Sequence, residues 1–113
     1  MNKLMSYNVH ITRAEHWTES DSKPISLEEA KIYFAGQEDF EYSSGLSVEG
    51  PFGKLAVGGD FFNWLAEEDE KVPFRHTDGR ITVAGADDFV IEKMVEAAAG
   101  LNAKVQGDEG EVY

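Results

Sequence analysis

Residues 72–83 of this 113-residue chain read VPFRHTDGRITV, and this stretch specifies a β-hairpin. Asp78 and Gly79 form the dipeptide that most strongly indicates a two-residue type I′ turn, in which both positions need a positive φ. A turn there pairs Thr77 with Arg80. In that register the apolar side chains of both strands lie on one face: Val72, Phe74, Ile81 and Val83. The turn and the apolar pattern therefore predict the same strand pairing.

A helix is predicted before the hairpin, over residues 27–35. Ser26 and Glu29 form an S-x-x-E capping box, in which each side chain accepts a hydrogen bond from the backbone of the other residue. Apolar residues recur at helical spacing in this segment, at Leu27, Ala30 and Phe34. Gly36 suits the left-handed position just past a helix end.

A second helix is predicted after the hairpin, within ADDFVIEKMVEAAAGL. Asp87 or Asp88 caps its start, since a carboxylate there accepts a hydrogen bond from the free backbone N–H groups. Gly100 ends it, and Leu101 packs back against it. The expected buried stripe follows the i, i+3, i+4, i+7 pattern: Ile91, Met94, Val95 and Ala98.

Strands are predicted on both sides of the first helix. Residues 7–12 alternate, which favours a half-buried strand with Tyr7, Val9 and Ile11 on its apolar face. After the helix, EDFEYSS indicates a short strand. KLAVGG and DFFNWLA indicate two more strands, separated by Gly58-Gly59. The last segment, residues 60–66, could instead begin a short helix, but its aromatic residues favour a strand.

The chain finishes with KVQGDEGEVY, which we interpret as a docked strand and an acidic turn. Gly107 and Gly110 bracket Asp108-Glu109 as turn glycines do. In this interpretation Val112 and Tyr113 are buried against the sheet. The predicted fold class is therefore α+β, with a single antiparallel β-sheet packed against two helices and residues 1–113 in one domain.

The charge of the chain narrows the classes of partner. Twenty-two acids and ten bases give a net charge of −12. Nucleic acid and anionic membrane surfaces would repel such a protein, so neither is an expected partner. The chain has no cysteine, and its first ten residues do not resemble a signal peptide, which favours the cytoplasm. No catalytic, metal-binding or cofactor-binding motif is recognised, so we expect no enzyme, metal or cofactor.

Acidic residues concentrate in three clusters: QEDFE at residues 37–41, EEDE at residues 67–70 and GDEGE at residues 107–111. Aromatic residues adjoin the first two clusters. Residues 36–71 hold nine acids and two bases, a net charge of −7. Acidic rims around aromatic anchors suit recognition of a basic protein. The predicted partner-binding residues are Glu38, Asp39, Glu41, Trp64, Glu67, Glu68, Asp69, Glu70, Asp108, Glu109 and Glu111.

The segments SYNVHITRAEHW, PISLEEA, FRHTDGRITV and VQGDEGEVY resemble successive blocks of small, acidic, cytoplasmic bacterial proteins. Members of that group resemble immunity proteins of polymorphic or contact-dependent antibacterial toxin systems. The resemblance implies a non-catalytic protein that neutralises its cognate toxin by binding the toxin domain. It assigns no individual binding residue, because such families share folds while their toxin partners diverge. The alternative is a stand-alone housekeeping or regulatory protein-interaction module, with a homo-oligomer as one form of it.

Overall fold

A computed structural model describes residues 7–68 and 70–113. They form one antiparallel sheet of six strands, two α-helices and a short 3-10 helix. The strands are β1 (Asn8–Thr12), β2 (Phe40–Gly50), β3 (Gly53–Glu67), β4 (Glu70–Thr77), β5 (Arg80–Ala84) and β6 (Lys104–Gly107). The helices are the 3-10 helix Trp17–Ser22, α1 (Leu27–Ala35) and α2 (Asp88–Gly100). The strand order is β2-β3-β4-β5-β1-β6, and the predicted α+β class is confirmed.

The two α-helices pack against one face of the sheet and enclose the core. Phe34 of α1 stacks on Phe62 of β3 with ring centroids 4.7 Å apart. From α2, Met94 is fully buried in the same cluster as Ile11 and Ile81 of the central strands. Burying a large apolar side chain contributes about 1.5–3 kcal/mol, so this single cluster is the main source of stability.

The β4–β5 hairpin has the predicted turn and register. Asp78 and Gly79 have φ values of 51° and 79°, as the two-residue turn requires. Thr77 pairs with Arg80. Of the four apolar hairpin residues, three are buried under the helices and Val72 packs against them, half-buried.

The helix starts are confirmed, and α1 and α2 end at Ala35 and Gly100 as predicted, but the conformation of the C-terminal caps differs from the prediction. Ser26 and Glu29 form both hydrogen bonds of the capping box, and Asp87 caps α2 by accepting from the Val90 N–H. Gly36, however, has φ −87° and is not left-handed, because 3-10-type bonds from the Gly36 N–H close the last turn of α1. After α2 the left-handed residue is Asn102, with φ 57°.

The buried stripe of α2 is rotated from the predicted one. Met94 and Ala98 are buried as expected, but Val95 is 41% exposed. Val90 and Ala97 face the sheet instead. Position 90 lies one turn before 94, so the helix packs along the 90–94–97–98 line, and Val95 lies outside the contact.

Residues 53–67 form one strand, which corrects the prediction of two strands separated at Gly58-Gly59. Strand β3 runs through both glycines, and Gly58 still pairs with Gly45 of β2. The strand interpretation of residues 60–66 is confirmed. The short strand predicted at EDFEYSS is the start of the 11-residue β2.

Two expectations about burial are wrong. Strand β1 is buried on both faces, because His10 and Thr12 are as inaccessible as Val9 and Ile11. The second face is covered there by the 3-10 helix of residues 17–22. At the chain end β6 docks on the sheet as predicted, by pairing with β1, and Val112 bridges back to Gln106. Val112 and Tyr113 are nevertheless 62% and 47% exposed.

Candidate functional site

The antiparallel order brings the three acidic clusters to one end of the sheet. Strands β2, β4 and β1 begin at this end, and β3, β5 and β6 finish there. The segment before β2 carries the first cluster, the β3–β4 turn the second, and the turn after β6 the third. We call this the acidic end. Asp87 and Asp88 at the start of α2 follow β5 and add to its charge.

The first two clusters meet in a groove of about 610 Å³, which we call the acidic groove. Its walls carry exposed carboxylates, and Leu65, 38% exposed, is its apolar component. Lys71 is the basic residue in its lining, with Nζ 3.3 Å from a carboxylate oxygen of Glu41. The acidic residues that line the groove are Glu41, Glu67, Glu68 and Glu70. Asp69 lies outside the described residues.

The third cluster lies at the same end but away from the acidic groove. Three strand intervals separate β6 from β4, which corresponds to roughly 14 Å at the usual strand spacing. Two of its acids are engaged within the molecule. Asp108 accepts hydrogen bonds from the ring of His10 and from the Asn8 backbone N–H. Glu111 accepts from the hydroxyl of Tyr7, which lowers the pKa of the Glu111 carboxyl and raises that of Tyr7 to about 12. Glu109 is exposed.

Asp39 and Trp64 belong to the helix-covered side of the acidic end. Asp39 accepts from Lys93 Nζ at 2.8 Å and from Trp64 Nε1 at 3.2 Å, and the Lys93 contact lowers the pKa of the Asp39 carboxyl. Trp64 is only 7% exposed and packs near Phe89. Its ring is therefore not presented to a partner, whereas Glu38 beside Asp39 is exposed.

A polar network that the sequence did not predict lies on the other face of the sheet. His10 is 1% exposed, and its two ring nitrogens contact Asp108 Oδ1 and Thr82 Oγ1, each at 2.9 Å. Trp17 stacks on the His10 ring with centroids 4.1 Å apart and an interplanar angle of 14°. The signal in the sequence is Trp17, a large aromatic residue in an otherwise polar segment.

Hydrogen bonding determines the proton position on His10. A carboxylate only accepts, so Nε2–H donates to Asp108 and the neutral ring accepts at Nδ1 from the Thr82 hydroxyl. Burial lowers the pKa of His10, and the hydrogen bond to Asp108 opposes that effect in part. The neutral imidazole is thus held between a carboxylate and a hydroxyl.

Among residues 7–68 and 70–113, no group of three or more His, Asp or Glu side chains is arranged to hold a metal ion. In the same described part of the chain, no helix is long and apolar enough to cross a membrane. No protein-family model, curated protein or solved structure matches this chain.

Proposed function

We propose that this protein is a non-catalytic binding protein that docks a basic protein domain on its acidic end. In the form we favour, the partner is a cognate antibacterial toxin domain, and the protein acts in the cytoplasm as its immunity protein. Binding over the acidic end would then block the active site or substrate groove of the toxin. The resemblance of the sequence blocks to immunity proteins suggests this class of partner.

One observation carries the proposal: three acidic clusters that are distant in sequence lie at one end of the sheet, and two of them share the acidic groove. Like charges repel, so clustering these carboxylates destabilises the free protein, and a bound basic partner would offset that repulsion. A Lys or Arg side chain of a partner could enter between the Glu41 wall and the β3–β4 turn, with its stem on Leu65 and its charged head among the carboxylates.

Charge on this surface should act mainly on the association rate. Oppositely charged surfaces steer the encounter, and salt screens exposed charges beyond about 8 Å at physiological ionic strength. We therefore expect a toxin domain to associate more slowly as the salt concentration rises.

The experiment compares two variants that lose the same charge. The groove variant carries E41Q, E67Q, E68Q and E70Q. The control variant removes four exposed acids away from the acidic end, with E19Q, D21N, E28Q and E49Q. The partner is first captured from the source bacterium and purified, and its on-rate is then measured at two ionic strengths. Protection of cells that express the captured toxin domain is measured in parallel.

We expect the groove variant to associate at least about tenfold more slowly, and to lose protection, while the control stays close to wild type. Equal slowing of both variants would show that only total charge matters and would contradict docking at the acidic end. An association rate that does not depend on salt would also contradict it.

A second candidate, self-association as an interaction module, is favoured by the β2–β3 arm, residues 45–58. Within the described part of the chain these residues pair only with each other, and they extend roughly 20 Å beyond the β3–β4 pairing. The arm contains one Glu and one Lys, so it is neutral in a chain of net charge −12. Phe52 is fully exposed at its tip, and Leu55 is 62% exposed.

Two copies could approach through this neutral arm with little repulsion, and an exposed two-stranded ribbon gains stability from a further strand. Light scattering at several protein concentrations tests this candidate, with the double variant F52S/L55S as comparison. A dimer that the double variant abolishes supports self-association. A monomer at all concentrations excludes it.

A further inference from the structure

The face of the sheet that α1 and α2 leave uncovered contains a cleft of about 420 Å³. Neighbouring strands β4, β5 and β1 form its floor, and the Trp17 ring forms part of its wall. The polar side chains that line it include Arg75, Thr77, Arg80, Thr82 and His10. We call this the arginine cleft.

Strand register explains why these residues share one face. Arg75 pairs with Thr82, and Thr77 pairs with Arg80. Side chains alternate along a strand, so residues two apart lie on the same face. The two arginines are therefore diagonal neighbours across β4 and β5, roughly 7–8 Å apart, with their Cβ atoms somewhat closer. The Arg75 guanidinium lies over the Phe61 ring of β3, 5.5 Å from its centroid, and would turn toward Arg80 to share one anion.

Among the described residues, neither arginine has a carboxylate oxygen closer than 3.9 Å, although the chain has 22 acids. In the described part of the chain, Arg75 has no carboxylate oxygen within 4 Å, and Arg80 has one contact, to Asp78 at 3.9 Å. By contrast, Arg13 and Lys93 have carboxylate partners at 3.0 and 2.8 Å. Two like charges on adjacent strands repel, and here no acid compensates them at close range.

Arg80 is also incompletely hydrogen-bonded. Its side chain is 18% exposed, and its Nε–H is buried with no acceptor among the described residues. Its guanidinium lies over the Trp17 ring, 5.2 Å from the centroid, which limits its freedom to turn toward solvent. A buried donor without an acceptor is costly, and an anion that held the Arg80 guanidinium would offset part of that cost.

We propose that the arginine cleft binds a small-molecule oxyanion, a phosphate or a polycarboxylate, between Arg75 and Arg80. A guanidinium presents parallel N–H donors that match the oxygens of either group, and two of them can clamp one multivalent anion. The volume of the cleft is that of a small-ligand site. The indole of Trp17 supplies an apolar wall for the body of the ligand.

The site is separate from the proposed docking surface. Arg75 lies four residues along β4 from Lys71 of the acidic groove, roughly 13 Å at the usual rise per residue. The two sites also have opposite charge, so an oxyanion has no favourable contact with the acidic groove. The groove variant described above should therefore bind the anion as wild type does, and failure of one proposal leaves the other intact.

The two tryptophans provide a reporter and an internal control. Trp17 lines the cleft and its Nε1–H donates to the Asp108 carbonyl, whereas Trp64 is buried on the opposite face of the sheet. The experiment records the two indole N–H signals by ¹H–¹⁵N NMR while inorganic phosphate or citrate is added at constant ionic strength. The variant W17F assigns the signals, and sodium chloride is the reference salt.

We expect the Trp17 signal to shift saturably with phosphate, citrate or both, while the Trp64 signal stays in place. The stronger of the two anions identifies the ligand as a phosphate or a polycarboxylate. Arg75 is exposed, so R75Q should fold, and we expect it to weaken binding about tenfold or more, since charged hydrogen bonds are lost. K54Q removes a charge on the β2–β3 arm and should bind as wild type does.

Three results would overturn the proposal. One is no saturable shift of the Trp17 signal with either anion. Another is an equal shift of both indole signals, which would indicate a general salt effect. The third is unchanged affinity in R75Q, because the anion would then not contact the arginine on which the site depends.

Discussion

The ring of His10 donates a hydrogen bond from Nε2 to Oδ1 of Asp108 at 2.9 Å, across 98 residues of sequence. It joins the first strand of the chain to the turn that follows the last strand. The Asn8 backbone N–H donates to the other oxygen of the same carboxylate at 2.8 Å. An acidic turn that resembles a solvated tail in sequence is thus part of the folded structure.

Replacing Asp108 by Ala should lower the free energy of unfolding by about 1–3 kcal/mol. The substitution leaves the buried Nε2–H of His10 without its acceptor, and an unsatisfied buried donor costs that amount. The neighbouring exposed acid supplies the control, because Glu109→Ala should change stability by less than about 0.5 kcal/mol. Urea unfolding measures both. Similar values for the two variants would show that the His10 contact contributes little.

Stability should fall as the pH drops from about 7.5 to about 5.5. Burial lowers the pKa of His10 in the folded protein, whereas in the unfolded chain its pKa is about 6.5. Below about pH 6.5 the unfolded chain therefore binds a proton at His10 more readily than the folded protein does. The contribution of His10 is therefore fully present above pH 6.5 and is lost as the pH falls toward the folded pKa.

Urea unfolding at several pH values measures this dependence, and the variant H10Q serves as the comparison because its side chain does not titrate. We expect a smaller slope in H10Q over the same range. An equal slope in both proteins would assign the pH dependence to other groups.

Truncation should distinguish the turn from the last three residues. Removal of residues 111–113 leaves Asp108 in place but deletes the Glu111 contact with Tyr7 and the backbone hydrogen bonds that join Gly107 to Glu111 and Tyr113 to Val105, so we expect a smaller loss of stability than for the longer deletion. Removal of residues 108–113 also deletes the acceptor of His10 and the carbonyl that accepts from Trp17 Nε1, and should cost about 1–3 kcal/mol or more. Differential scanning calorimetry measures the melting temperature of both truncated proteins. Equal melting temperatures for the two truncations would contradict a structural role for the turn.

Gly79 should tolerate substitution less well than Gly85. Both have left-handed φ values, 79° and 67°, so Ala at either position should cost roughly 1–2 kcal/mol in backbone strain. A Cβ at Gly79 would also lie 2.8 Å from the Pro24 side chain and the Ser20 carbonyl, while a Cβ at Gly85 meets no atom within 4 Å. Gly79→Ala should therefore cost about 1–3 kcal/mol more than Gly85→Ala. Equal losses of melting temperature in the two variants would contradict this prediction, because they would show that the loop around Pro24 moves aside for the added Cβ without cost.

The acidic clusters were evident in the sequence, but their arrangement was not. Counting charges identified Glu41 and the β3–β4 turn as acidic, and strand order then placed them in one groove. The same order put the turn of Asp108 at the same end of the sheet, although β3 and β6 are far apart within it. Neither arginine of the arginine cleft stood out, because each is isolated in sequence and becomes a neighbour of the other only through the hairpin register.

The sequence by itself determined the local structure: the turn at Asp78-Gly79, the cap of α1 at Ser26 and the cap of α2 at Asp87. These features depend on hydrogen bonds and backbone angles within three or four residues, so the signal and the structure lie in the same short segment. The tertiary structure alone decided which polar side chains are buried and what they contact. His10 alternates as a solvent-facing residue would, and its burial depends on Trp17 folding over it and on Asp108 arriving from the other end of the chain.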